Sequence, residues 1–218
     1  MAILNQETLF SRAQEFAEAQ SKVNHPTLIG VTDGKAVGTY VEHHFEDELR
    51  IIFPDIEIGS SARGIDLPDS RLNTDIKVTS IRQPQSSCPY RDARQKIYGL
   101  GYNLLLFVYE KIDTLEESKL IFHNVTLIDN ERTGDYTLTK MLRDMVDIGA
   151  NEQDIAALLN DKALPGDEIT LRLIAREVLE HKPPQGYLTI SNALQWRLQY
   201  QRVINLKNQV IGVQNYER

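Results

Sequence analysis

The spacing of hydrophobic residues divides the chain into a first part that mixes helices with strands and a second part that is mainly helical. Apolar side chains recur every three or four positions over residues 6–22 and 37–51, which is the period of an amphipathic helix. Residues 72–81 alternate between polar and apolar and predict a strand. The run at 103–109 is continuously apolar, as in a strand buried on both faces, and residues 119–128 predict another strand.

Shorter or less regular segments complete the pattern. Residues 55–58 and 64–67 are short enough to be strand pieces, and a helix is predicted from Cys88 to Tyr98. Three further helices are predicted at residues 137–148, 152–159 and 167–180. After a Pro-rich break, residues 194–201 alternate strictly and predict a strand, with a helix as the alternative. We therefore expect an α/β fold, with an N-terminal helix and core over residues 1–130 and a helical C-terminal subdomain over 131–218 that ends in a β-element.

Composition excludes several classes of protein. With 41% hydrophobic residues among 218, the chain can bury a core, and collagen, coiled coil and wholesale disorder are excluded. No apolar run approaches the roughly 20 residues of a membrane helix. Cys88 is the one cysteine, so an internal disulfide and a cysteine-based zinc site are excluded. The first residues lack the pattern of a signal peptide, and we expect a cytoplasmic protein without a membrane.

One constellation of polar residues carries a chemical signal. A turn at Asp69–Arg71 between two short strands would bring Asp66 and Asp75 to the same end of a hairpin. The strand period places Asp75 and Lys77 on one face, with Ile76 directed into the core. Two carboxylates repel each other unless a hard cation binds between them, and oxygen ligands suit Mg²⁺. Such an ion activates water and stabilises charge on a phosphoryl oxygen, and the ammonium of Lys77 could position that water.

The residues around this constellation match a known pattern. Gly64-Ile65-Asp66 and Asp75-Ile76-Lys77 follow a helix that contains Gly38-Thr39-Tyr40-Val41-Glu42, and Gln95-Lys96 precedes the apolar strand at 103–109. Over residues 37–128 this arrangement resembles the PD-(D/E)XK nuclease superfamily, in particular type II restriction endonucleases. The resemblance implies a restriction-endonuclease-like core, a central mixed sheet flanked by helices. It also implies Mg²⁺-dependent hydrolysis of phosphodiester bonds in double-stranded DNA by a homodimer.

The resemblance also implies roles for particular residues. The implied catalytic residues are Asp66, Asp75, Lys77 and Glu42, of which Asp66, Asp75 and Glu42 would bind the metal ion. Asp69 follows a proline, as in the family motif, but it lies only six residues before Asp75 and leaves little room for two strands and a turn. It is the alternative to Asp66, and Glu46 is the alternative to Glu42. An ordinary surface hairpin with a salt bridge remains the non-functional interpretation.

Contacts with DNA are predicted from local charge, although the net charge of the chain is −7. Residues 71–96 are rich in lysine and arginine, and residues 181–216 contain no aspartate or glutamate. Arginine and glutamine read guanine and adenine edges, which makes the alternating face after residue 194 a candidate reader of bases. The candidate DNA contacts are Arg71, Arg82, Arg91, Arg94, Arg197, Gln199 and Gln201.

Other functions remain open from the sequence. A structure-selective repair nuclease or junction resolvase would share the core, but the extra C-terminal residues favour a restriction enzyme. A non-catalytic helix-turn-helix regulator is the alternative from another class, since residues 149–159 resemble the opening helix of such a unit. A metabolic enzyme or interaction domain would bind no DNA.

Overall fold

The computed structural model of the protein describes residues 3–59, 64–88, 91–191 and 196–217. These residues form two compact units. The first comprises the described parts of Met1–Gln85, Tyr102–Ile128 and Ile204–Arg218, and the second those of Ser86–Gly101 and Asp129–Val203. The functional division at residue 130 stays a prediction.

The first unit is built on a mixed four-stranded sheet. Its strands are β1 (Thr74–Ser80), β3 (Asn103–Asp113), β4 (Ser118–Ile128) and β7 (Val213–Glu217), in the order β1-β3-β4-β7. β1 is parallel to β3, and the pairs β3–β4 and β4–β7 are antiparallel. Leu104, Leu105, Leu106, Phe107 and Val108 are fully buried, which confirms the prediction of a strand covered on both faces.

Two helices cover this sheet, α1 (Gln6–Gln20) and α2 (Gly34–Ile52). Asn5 caps α1 by accepting from Thr8 N, and Asp33 caps α2 by accepting from Lys35 N and Ala36 N. α1 packs against β4 and α2 against β1. Four phenylalanines, one from each of α1, α2, β3 and β4, pack together with ring centroids 5.1–6.3 Å apart: Phe16, Phe45, Phe107 and Phe122.

The second unit combines helices with a small sheet. Its helices are α3 (Gln95–Tyr98), α4 (Tyr136–Asp147), α5 (Glu152–Asp161), α6 (Glu168–Glu180) and α7 (Gln201–Ile204). β2 (Gln85–Cys88), β5 (Thr189–Ile190) and β6 (Trp196–Gln199) form its sheet in the order β2-β6-β5. The apolar faces of α4, α5 and α6 share one core, which includes Leu142, Ile155 and Ile174. No helix in the described part of the chain is both long and apolar enough to cross a membrane.

The structure corrects several predicted elements. Residues 55–58 are not a strand. Residues 64–67 are not a strand either, because their only ladder contact with a described residue is an isolated bridge between Leu67 and Thr74. Cys88 ends a strand instead of opening a helix, and the helix begins at Gln95. The alternating segment is a strand only over Trp196–Gln199; Leu194 and Gln195 lie outside the described residues, as does Ala62-Arg63 before the first motif. β2 and β7 were not predicted, since their sequences are short and polar and pair with distant strands.

The caps of α4 and α6 provide a test of the second unit. Asp135 is 6% exposed, and its two carboxylate oxygens accept from Leu138 N and Ile190 N, each at 2.8 Å. Asp167 is exposed and accepts from Thr170 N at 2.8 Å. We expect Asp167→Ala to cost about 1 kcal/mol, the usual value of a cap. Asp135→Ala should cost about 2–4 kcal/mol, because two buried N–H groups lose their acceptor.

Urea unfolding of both variants measures this difference. Equal costs for the two substitutions would show that Asp135 acts as a helix cap alone and does not tie α4 to β5.

Candidate active site

Asp66 is held in place by backbone contacts on both sides. Leu67 N donates to Thr74 O at 2.9 Å and Thr74 N donates to Leu67 O at 3.0 Å, so the chain folds back onto the start of β1. The Asp66 carboxylate then accepts from Ile76 N at 2.7 Å. The sequence predicts that Asp66 and Asp75 lie close together. The Leu67–Thr74 bridge brings them together, although the segment before β1 is not a regular strand.

Asp69 has a different role from Asp66. Its carboxylate accepts from Arg71 N at 3.0 Å and Arg71 Nε at 2.8 Å, and its carbonyl accepts from Leu72 N and Asn73 N. The hydrogen bonds from Arg71 lower the pKa of Asp69 to about 2. Asp69 therefore organises the turn before β1, where Asn73 has a left-handed φ of 40°. Its carboxylate is occupied by Arg71, whereas Asp66 lies with the other acids.

Asp75 and Lys77 form an ion pair on β1. Lys77 Nζ lies 2.5 Å from Asp75 Oδ2, and the two side chains are 23% and 5% exposed. Ile76 between them is 2% exposed and belongs to the core, as its position in the strand predicts. The pair is thus more buried than the surface salt bridge of the non-functional interpretation.

Three carboxylates form a group beside this pair. Glu42 and Glu46 on α2 and Asp66 each have an oxygen within 4.8 Å of the others. Glu42 and Glu46 are one helical turn apart and therefore share a side of α2, and Glu46 is only 7% exposed. The sequence treated Glu46 as an alternative to Glu42, but the structure brings both to Asp66. Since all three donors are carboxylate oxygens, the group suits a hard cation such as Mg²⁺.

Burial and mutual repulsion change the protonation of these acids. Burial first, and then the charge of Asp66, raises the pKa of Glu42 and of Glu46 to about 7. Burial also raises the pKa of Asp75, an effect that Lys77 opposes and a hydrogen bond with Asp66 reinforces. Burial lowers the pKa of Lys77, but the carboxylates of Asp75, Asp66 and Glu42 together outweigh burial and the net shift is upward. A divalent cation would relieve this repulsion, which is why the group fits a metal ion.

The other predicted residues occupy different surroundings. In the first unit, Arg71 is paired with Asp69, while Arg82 is exposed and has no ion pair with a described residue. In the second unit, Arg94 Nε lies 2.7 Å from Glu177 Oε2. Four members of the predicted set are exposed there: Arg91, Arg197, Gln199 and Gln201. Gln95 of the family motif donates to Leu100 O at 2.9 Å and supports the end of α3.

Comparisons with known proteins identify the class. The description "Type II restriction enzyme NspV" belongs to a family model that matches residues 3–215. A relative with that name, from Nostoc sp. (strain ATCC 29411 / PCC 7524), is 49% identical over 215 residues, which cover 98% of this chain and 96% of the relative. No solved structure matches the chain.

These matches confirm the resemblance to type II restriction endonucleases. More narrowly, the chain belongs to the NspV family of type II restriction enzymes. Membership of this family favours a restriction enzyme over the two alternatives from the sequence, a junction resolvase and a non-catalytic regulator.

The raised pKa values predict a pH dependence of stability in the absence of metal. Glu46 has a higher pKa in the folded than in the unfolded protein, so its favourable contribution is complete below about pH 4.5 and is lost as the pH rises through about 7. In EDTA, Glu46→Gln should therefore gain stability relative to the parent between pH 5 and 8. After allowance for solvent screening, the gain should be about 1 kcal/mol.

Glu116→Gln is the control, because Glu116 is exposed between β3 and β4 and does not contribute to the raised pKa of Glu46. Thermal melting at several pH values measures both variants. If the difference between Glu46→Gln and the parent is the same at pH 5 and pH 8, Glu46 does not share the repulsive group.

Proposed function

We propose that this type II restriction enzyme cuts both strands of double-stranded DNA at a specific sequence, with Mg²⁺ bound by Glu42, Glu46 and Asp66. The observation that supports this most directly is the group of three carboxylates next to the Asp75–Lys77 pair, in a chain of the NspV family. A cytoplasmic location is proposed with it and is consistent with the single, buried Cys88.

The acidic residues and the lysine of the proposed site have different roles. When bound, Mg²⁺ would lower the pKa of a water molecule and stabilise negative charge on a phosphoryl oxygen. Asp66 is oriented by Ile76 N, and Glu42 and Glu46 are fixed by the α2 backbone. Asp75 can join these ligands when its carboxyl is deprotonated, since it already lies against Asp66.

Lys77 supplies the positive charge of the site. Asp75 holds its ammonium in one position, and the upward shift of its pKa keeps it protonated. A fixed ammonium costs no reorganisation when charge develops on the attacked phosphate, which is the origin of electrostatic catalysis. Lys77 is proposed to orient the attacking water and to offset this charge.

Base recognition is proposed for the second unit. On β6, the buried Trp196 and Leu198 alternate with the exposed Arg197 and Gln199, and Gln201 follows. This arrangement presents arginine and glutamine side chains on one exposed face, with donors and acceptors that suit guanine and adenine edges. Cutting both strands of a short symmetric sequence is simplest with two related active sites, so we propose a homodimer.

Cleavage of DNA by the Lys77→Ala variant tests the proposed function. We expect cleavage of phage DNA in Mg²⁺ to fall by about two orders of magnitude or more, the effect of removing a preorganised electrostatic group. Affinity for DNA should change little, because one charge is a small part of the contribution from all phosphate contacts. The parent should yield discrete bands, whereas a smear would indicate a nonspecific nuclease. Cleavage at the parent rate would remove the role assigned to Lys77.

Thermal melting tests the metal site without DNA. If the dissociation constant is near 1 mM, 10 mM Mg²⁺ should stabilise the parent by about 1.4 kcal/mol through linkage. Asp66→Asn and Glu46→Gln should lose this gain, whereas Asp69→Asn should keep it because Asp69 is bound to Arg71. A gain that persists in Asp66→Asn would place the ion elsewhere.

Replacement of Arg197 tests base recognition. We expect Arg197→Ala to weaken binding to the cognate sequence by about 1–3 kcal/mol and binding to random DNA much less. Fluorescence anisotropy with both duplexes measures the two losses. Equal losses would make Arg197 a phosphate contact, and no loss would make it an ordinary surface residue.

A further inference from the structure

A cavity lies in the first unit, at the far end of β1 from Asp75. It has a volume of about 320 Å³ and lies where β1, β3 and the start of α2 meet. Ser80 and Arg82 contribute from the end of β1, Tyr109 and Lys111 from β3, and Thr32 from the segment before α2. None of these residues belongs to the carboxylate group.

Tyr109 is the most informative residue of this cavity. It is only 4% exposed, yet its hydroxyl forms no hydrogen bond with any residue in the described part of the chain. The hydroxyl is not among the fully enclosed polar atoms without a partner in the described residues, so the small exposed part of Tyr109 includes its hydroxyl, at the wall of the cavity. A ligand in the cavity would accept a hydrogen bond from this hydroxyl.

The charges around the cavity favour an acceptor-rich ligand. Asp113 is already bound by Lys111 and by Gly30 N, and Asp33 caps α2. Asp113 is therefore neutralised by Lys111, whereas burial, together with the charge of Asp33, raises the pKa of Tyr109 and keeps its hydroxyl protonated as a donor. The guanidinium of Arg82 has no carboxylate partner among the described residues. Together with the hydroxyls of Tyr109 and Thr32, this guanidinium forms a set of hydrogen-bond donors that have no partner among the described residues. Such a set suits the oxygen atoms of a phosphate group.

The position of the cavity relates it to the proposed active site. Ser80 lies three residues beyond Lys77 on β1, about 10 Å at the usual rise of a strand. Val37, which also lines the cavity, lies five residues before Glu42 on α2, about 8 Å at the rise of a helix. One DNA strand carries a phosphate about every 3.4 Å along the duplex axis, so a phosphate at this distance is a few nucleotides from the cleaved bond.

From these observations we infer that Arg82, Tyr109 and Thr32 form a binding site for a backbone phosphate of the DNA substrate, beside the carboxylate site. This inference rests on the proposed function, because it takes DNA as the source of the phosphate. The contact reads no base, and it therefore acts on cognate and random sequences alike.

Binding of a fluorescent duplex of random sequence, measured in EDTA at several salt concentrations, tests the inference. Arg82→Gln should weaken binding about tenfold and reduce the slope of log affinity against log salt by about 0.9, because one phosphate contact is lost. Tyr109→Phe should weaken binding about fivefold with an unchanged slope, since only a neutral hydroxyl is removed. Lys22→Gln, which removes an exposed charge outside the cavity, is the control and should bind as the parent does.

Melting temperatures separate this effect from damage to the fold. Tyr109→Phe should melt close to the temperature of the parent, because the lost hydroxyl has no hydrogen bond to a described residue. If both cavity variants bind the duplex as tightly as the parent, the phosphate site does not exist. If inorganic phosphate stabilises the parent but not Arg82→Gln, while affinity for the duplex is unchanged, the site binds free phosphate and the assignment to DNA is overturned.

The same proteins distinguish this inference from the proposed function. A parent that cuts phage DNA, together with cavity variants that bind normally, would overturn the phosphate site and leave the nuclease intact. A parent that fails to cut, together with a reduced salt slope in Arg82→Gln, would overturn the nuclease assignment and leave the phosphate site.

Discussion

Repulsion between carboxylates is the constraint on which the site depends. Glu42, Glu46 and Asp66 lie within 4.8 Å of one another, and Asp75 lies against Asp66. Nothing local favours such an arrangement, because each acid alone would be more stable in water. The packing of α2 on β1 imposes it. The buried apolar face of α2 consists of Val37, Val41, Phe45 and Leu49. Burial of this face fixes the rotation of the helix and therefore the direction of the two glutamate side chains.

The acids near the start of β1 divide into two functions. Asp69 is bound by Arg71 and stabilises the turn, whereas Asp66, three residues earlier, is oriented by a backbone N–H of the strand and keeps an oxygen near Glu42 and Glu46. Asp69 accepts hydrogen bonds within the turn before β1. The Leu67–Thr74 bridge that spans this turn brings the preceding Asp66 close to the strand.

The basic residues also divide into two groups. Arg71 and Arg94 are engaged with carboxylates of their own units, so their charges are partly neutralised within the protein. Arg82, Arg91 and Arg197 are exposed and have no ion pair in the described parts of the chain, which leaves them available for phosphates or bases. An acidic protein can thus bind DNA through a few arginine side chains that have no ion pair, because the attraction depends on local charge and not on the net charge.

The sequence by itself determined those features that depend on neighbouring residues. The helical period identified α1, α2, α4, α5 and α6, and the apolar run identified β3, because an element's buried face repeats within a few residues. The strand period likewise placed Asp75 and Lys77 together with Ile76 between them, and the motif around them indicated the class of enzyme.

Only the tertiary structure decided which distant residues meet. The sequence could not show that Glu42 and Glu46 both reach Asp66, since this depends on how α2 rotates against β1. It could not show that β7 pairs with β4, or that Tyr109 and Arg82 line the same cavity. Periodicity defines which face of an element is buried, but long-range packing defines which residues that face contacts.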